Sequence, residues 1–143
     1  MNQLSEILAE KGRDVLRIEA QASVFEAVAQ MVEHNVGSLL VTADGDDIGI
    51  VTERDYLRRV TLQGRTDRDT PVGDIISSPL ITVPPETTVD ECMALMTQRR
   101  IRHLPVIDGG EIVGIVSIGD VVKFQSDRQR VELKYLNDFI TAR

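Results

Sequence analysis

Ile48-Gly49-Ile50-Val51-Thr52-Glu53-Arg54-Asp55 returns 65 positions later as Val113-Gly114-Ile115-Val116-Ser117-Ile118-Gly119-Asp120. Working outward from this stretch, residues 24–55 align without a gap on residues 89–120. Of the 32 pairs, 11 are identical, among them Val24/Val89, Met31/Met96, Leu39/Leu104, Val41/Val106, Gly45/Gly110 and Asp55/Asp120. A unit this short rarely buries a sufficient core alone, so the two copies are expected to pack on each other. Whatever one copy presents at that seam, the other presents again by pseudo-symmetry.

Each copy reads as β-α-β-β-α. The opening extended segments are Val15-Leu16-Arg17-Ile18 and Leu80-Ile81-Thr82-Val83. Helices then start at Ser23-Val24-Phe25-Glu26 and Thr88-Val89-Asp90-Glu91, both of which fit the capping box, a hydroxyl with a glutamate three residues on. Val24, Ala27, Val28, Met31 and Val32 fall on one helical face, as do Val89, Cys92, Met93 and Met96. Strands follow at Gly37–Thr42 and Leu104–Ile107. They turn through Asp44-Gly45-Asp46 and Asp108-Gly109-Gly110 into Ile48–Val51 and Ile112–Val116. Pro105 has no N–H for a ladder, so its nitrogen is expected at an edge or an irregularity.

These elements give a domain plan. Residues 1–62 form the first repeat with an N-terminal segment, 63–71 a polar linker, 72–124 the second repeat and 125–143 a C-terminal amphipathic helix. That last helix carries Leu133, Leu136 and Ile140, a stripe expected to join the core, with a dimer contact as the second reading.

The chain has 143 residues, a formal charge of −7 and one cysteine. That charge argues against duplex nucleic acid, whose binding is dominated by phosphate neutralisation. No apolar run approaches the roughly 20 residues that span a bilayer, and the N-terminus lacks a signal peptide's regions, so the expected location is cytoplasmic. A single cysteine excludes an internal disulfide, and Cys92 on an apolar helical stripe reads as a buried hydrophobe. Basic residues cluster at Arg54, Arg58 and Arg59 and again at Arg99, Arg100, Arg102 and His103. Local clusters on an acidic protein suit a small anionic ligand. Arg58 and Arg99 read more simply as solvated helix faces.

The two octapeptides, together with Arg102-His103-Leu104-Pro105-Val106, resemble a tandem pair of CBS domains (cystathionine-β-synthase-type domains, a pair being a Bateman module). The resemblance covers nearly the whole chain. It implies an α/β (α+β) fold of two repeats packed sheet to sheet about a pseudo-two-fold axis. It also implies clefts between them for adenosyl ligands such as AMP, ADP, ATP, NAD(H) or S-adenosylmethionine, a homodimer, and regulation of another protein.

The resemblance assigns ligand contact to Thr52 with Asp55 and to Ser117 with Asp120. A helix N-terminus attracts phosphate, a hydroxyl can donate to a phosphate oxygen, and a carboxylate can accept both hydrogens of a ribose diol. Arg54 suits a phosphate, whereas its counterpart Gly119 does not, so the two sites are expected to differ. By resemblance, the Asp120 site adds Gly12, Leu16, Val36 and Gly37, with Ile115 against the base. The Asp55 site adds Ser77, Ile81, Ile101 and Arg102, with Ile50 against the base. Arg102 and His103 stand where either could meet phosphate, although an interface histidine explains His103 equally well. Gly37-Ser38 lacks that basic pair, and Lys11 is a candidate compensating cation.

Two further readings compete. Hydroxyl-x-x-acid is also a plain helix cap, and a ligand-free scaffold needs nothing more. Catalysis is not expected. The sequence has no Walker loop, no G-x-G-x-x-G, no G-x-S-x-G elbow and no metal-ligand spacing around His34 or His103. A triad of Ser117, His103 and Asp120 is explained better by the cap. No obligatory cofactor is implied.

Overall fold

The structure, a computed structural model, describes residues 2–76 and 79–141. Its elements run α1 (Leu4–Lys11), β1 (Arg17–Glu19), α2 (Val24–His34), β2 (Ser38–Ala43), β3 (Asp46–Thr52) and α3 (Glu53–Tyr56). There follow α4 (Val89–Arg99), β4 (His103–Asp108), β5 (Glu111–Ser117) and α5 (Ile118–Thr141). The chain divides into two compact units, Asp14–Ile81 and a second made of α1 with the chain from Thr82 onward.

In the Asp14–Ile81 unit the sheet order is β1-β2-β3, β1 parallel and β3 antiparallel to β2. Asp44 and Gly45, at φ 53° and 83°, make the two-residue turn. Positive φ at both central residues is what lets a hairpin turn match the twist of its strands. Ser23 caps α2 by accepting the Glu26 N–H at 3.1 Å. Asn35 ends α2 in the left-handed region at φ 53°, which asparagine tolerates. Ile18, Val24, Ala27, Met31, Leu39, Val41, Val51 and Val60 form the core with Val72 and Ile75. Val32 departs from the predicted apolar face, being 76 % exposed.

The polar segment read as a linker is ordered against this unit. The carbonyls of Thr70 and Asp67 accept the N–H groups of Val24 and Phe25, two donors that a helix start leaves without intrahelical partners. The guanidinium of Arg68 lies over the Phe25 ring, 3.9 Å from its centroid. After α3, a π turn over Leu57–Thr61 closes the helical segment.

The other unit repeats the pattern with two departures. Thr88 and Glu91 complete the capping box of α4, each side chain accepting the other's backbone N–H. Arg100, equivalent to Asn35, also ends its helix left-handed, at φ 56°. Gly109-Gly110 makes the hairpin turn, and the ladder irregularity at Val106/Ile107 matches the one at Val41/Thr42. Cys92 is buried, and burial pushes its thiol up to about 11.

The first departure is the opening strand. Leu80–Val83 is not a strand; among the described residues only a bridge from Val83 to Val106 stands there. The reason is Pro105. In the first repeat Leu40 N–H donates to Leu16 at 3.0 Å, and the equivalent nitrogen in the second is a proline's. Two bonds survive, from Val83 to the Pro105 carbonyl and from Ile107 to the Val83 carbonyl.

The second departure is α5. The second repeat's closing helix and the predicted C-terminal helix are one continuous element of 24 residues. Val121 and Phe124 pack inside, but Leu133, Leu136 and Ile140 are exposed. The expectation that they join the core is therefore corrected. Gln125 still reaches Met93, and from Arg128 to Asp138 every residue of the helix is exposed.

The structure also supplies a helix that the sequence reading left as a bare segment, α1. Leu4, Ile7 and Leu8 are buried against the unit that holds α5, at the i, i+3, i+4 spacing of a helix face.

Candidate functional site

Both helix starts singled out by the repeat are built alike. The Asp55 carboxylate accepts the Thr52 N–H at 3.0 Å and the Thr52 hydroxyl at 3.1 Å, and the Asp55 N–H returns to Thr52 Oγ1 at 3.2 Å. At the second start, Asp120 accepts the Ser117 N–H at 2.8 Å, and its own N–H reaches Ser117 Oγ at 3.1 Å. The preceding carbonyls also correspond. Gly37 accepts the Glu53 N–H at 3.1 Å, and Arg102 accepts the Ile118 N–H at 2.8 Å.

The plain cap is thus present in both repeats. It also sets out the groups a nucleotide would need, a hydroxyl and a carboxylate beside the N–H groups of a helix start.

The two sites differ in burial. Asp55 is buried, whereas the Asp120 side chain is 24 % exposed. Lys11 Nζ donates to Asp120 Oδ2 at 2.6 Å and to the Ile115 carbonyl at 2.6 Å. Burial by itself would raise the Asp120 carboxyl. The Lys11 hydrogen bond, the Ser117 N–H and the Lys11 charge outweigh it and hold the carboxyl below its ordinary value of 3.8.

Lys11 reaches this position because β5 has a glycine beneath α1. A Cβ at Gly114 would stand 2.6 Å from Leu8 Cδ2. Gly12, at φ 96°, then ends α1 one residue beyond Lys11, with its N–H on the Leu8 carbonyl.

The remaining predicted site residues are placed as follows. In the Asp14–Ile81 unit, Arg54 is exposed on α3, and Leu16 and Ile81 are half-buried. Ile50 is buried on β3, paired with Leu40. Val36 and Gly37 line a cavity of about 450 Å³ with Val28, Met31, Val32, Asn35, Glu53, Tyr56 and Leu57. In the other unit, Arg102 is exposed, Ile101 and Ile115 are half-buried, and His103 pairs with Ser117 across β4–β5. Within that unit Lys11, next to Gly12, bonds Asp120 and Ile115, the Arg102 carbonyl takes the Ile118 N–H, and His103 pairs with Ser117. Ser77 lies outside the described residues.

The Lys11 contact is what sequence reasoning approached without locating. The spacing of Leu4, Ile7, Leu8 and Lys11 is the signal that would have put Lys11 on a helix end. A cation beyond the basic pair was anticipated, but not its partner.

Among the described residues there is no group of three metal-ligating side chains and no helix long and apolar enough to cross a membrane.

Comparison with known proteins agrees with the repeat. The CBS domain family model matches residues 5–61 and 72–127. The chain is 44 % identical over 146 residues to the CBS domain-containing protein CBSX3, mitochondrial, of Arabidopsis thaliana, covering 96 % of this chain and 71 % of that protein. It is 36 % identical over 115 residues to the CBS domain-containing protein YhcV of Bacillus subtilis, covering 80 % and 81 %. Among solved structures, a CBS-domain containing protein from Agrobacterium tumefaciens superposes with a TM-score of 0.82 at 37 % identity, over 87 % of this chain and 99 % of that one. A hexameric CBS-CP12 protein from bloom-forming cyanobacteria superposes with a TM-score of 0.77 at 33 % identity, over 85 % and 70 %.

Proposed function

Because the chain belongs to the CBS-domain family and carries two copies of the domain, we propose that it is a non-catalytic regulatory module that binds an adenosyl ligand. AMP, ADP, ATP, NAD(H) and S-adenosylmethionine are the candidates. The carrying observation is the duplicated cap, in which Thr52 with Asp55 and Ser117 with Asp120 offer a hydroxyl and a carboxylate at equivalent helix starts. A phosphate meets the hydroxyl and the helix N–H groups, while the aspartate accepts the ribose diol. Arg54, Arg102 and His103 add cationic or hydrogen-bonding groups for phosphate, and the half-buried Ile115 supplies apolar surface for the base.

A bound nucleotide shifts the module's conformational equilibrium only by its differential affinity for two states. The output passes to a partner protein in the cytoplasm or to the oligomer.

A ligand at a hundred times its Kd stabilises the folded chain by about 2.7 kcal/mol, which a thermal-shift screen of the five candidates detects. Calorimetry then tests the site. Asp120→Ala is expected to weaken binding at least about tenfold, the equivalent of roughly 1.4 kcal/mol, with the fold intact. Unchanged affinity removes Asp120 from the site.

One observation favours a second reading, assembly without a ligand. Leu133, Leu136 and Ile140 are exposed along one stripe of α5, and the exposed Val32 and Leu57 line one cavity, apolar patches of the kind that a partner covers. A homodimer covers such residues. Sedimentation of the free chain at micromolar concentration separates the readings, since a scaffold assembles with no adenosyl compound present and shows no thermal shift with any of them.

A further inference from the structure

The Asp120 carboxylate is already engaged by an ammonium, at the position where the nucleotide reading needs it to accept a ribose. We propose that Lys11 makes this site select anionic nucleotides over neutral nucleosides, because a ribose displaces the Lys11–Asp120 pair without cost only when a phosphate takes up the released ammonium. The inference rests on the nucleotide-binding reading above and adds to it the ligand class and the residue that imposes it.

The geometry carries the argument. One oxygen, Asp120 Oδ2, accepts from both Lys11 Nζ at 2.6 Å and the Ser117 N–H at 2.8 Å. The ammonium is thus only two hydrogen bonds from the helix start that would receive phosphate. Its second bond goes to the Ile115 carbonyl, beside the surface that would face the base.

Lys11 is anchored at its backbone. Leu8 is wedged against Gly114, and the helix stops at Gly12. The side chain is 37 % exposed, so its head can exchange partners while its stem stays in place.

A neutral nucleoside that takes over Asp120 Oδ2 breaks the ion pair and leaves the ammonium to the Ile115 carbonyl and water. A nucleotide breaks the same pair and offers the ammonium a phosphate, a charge-assisted bond of similar strength. At the other helix start the Asp55 carboxylate accepts the Thr52 hydroxyl.

The test is calorimetry with AMP and adenosine on the full chain, scoring the part of the binding that Asp120→Ala abolishes. The unaltered chain is expected to prefer AMP by at least about tenfold. Lys11→Met is expected to lower that preference at least about tenfold, by weakening AMP and strengthening adenosine, and Lys11→Arg is expected to restore it. A preference for AMP that survives within twofold in Lys11→Met, with the melting profile unchanged, overturns the role of Lys11 and leaves the nucleotide reading standing. No binding of either compound to the unaltered chain overturns both.

Discussion

The two repeats share caps, turns and a ladder irregularity, yet one builds a three-stranded sheet and the other a two-stranded one. The difference comes down to one backbone donor. Leu40 has an N–H for the parallel neighbour, and Pro105 at the same place does not. Conservative exchanges leave the plan unchanged, as from Val36 to Ile101 at a half-buried position and from Thr52 to Ser117 at a cap that needs only a hydroxyl. Loss of a main-chain donor removes a ladder position outright. The closing helices diverge as well. The first is cut short by a π turn, and the second runs on through Thr141. A duplicated sequence therefore keeps its local geometry while its edges specialise.

The largest expected effect tests how far the equivalence extends. Leu39 and Leu104 are both fully buried at matching positions of β2 and β4. Leu39→Ala and Leu104→Ala should each destabilise the chain by about 3 kcal/mol in chemical denaturation. Costs that differ by more than about 1.5 kcal/mol would break the comparison, because the two cores would then not be equivalent.

Pro105→Leu sharpens the comparison at the point of difference. It supplies the missing N–H and copies the first repeat, so the new amide should exchange slowly with deuterium. The stability change should stay within about 1 kcal/mol, the usual scale of a single net hydrogen bond. Rapid exchange at position 105 would mean that something other than the proline keeps the second strand from forming.

The smallest effect concerns the acid limb. The folded Asp120 carboxyl titrates below its ordinary 3.8. Its contribution is therefore fully present above that value and is lost as the pH falls through the depressed one. The pair is partly exposed, so the contribution is about 1 kcal/mol or less. Stability measured from pH 5 to pH 3 should fall more gently in Asp120→Asn than in the unaltered chain. An identical slope would show that the Lys11 pair contributes nothing.

Much of the fold is legible from short-range chemistry. The hydroxyls of Ser23, Thr52, Thr88 and Ser117 start helices where the sequence says they should, because a cap is settled within four residues. The hairpins follow from Asp44-Gly45 and Gly109-Gly110, which adopt positive φ readily. The candidate carboxylates were legible for the same reason, since hydroxyl and acid stand three residues apart. The exposed apolar end of α5 was not. Periodicity identifies a face but says nothing about what covers it.

By itself, the sequence determined the duplication, the helix–strand–strand order inside each copy, the CBS membership and the pairs Thr52/Asp55 and Ser117/Asp120. Tertiary structure alone decided that Lys11 lands on Asp120 and Ile115, groups 109 and 104 residues away along the chain. The physical reason is the range over which each is set. Caps and turns are fixed by neighbours along the backbone, whereas an ion pair across that separation forms only once Leu8 has seated against Gly114 and brought α1 onto β5.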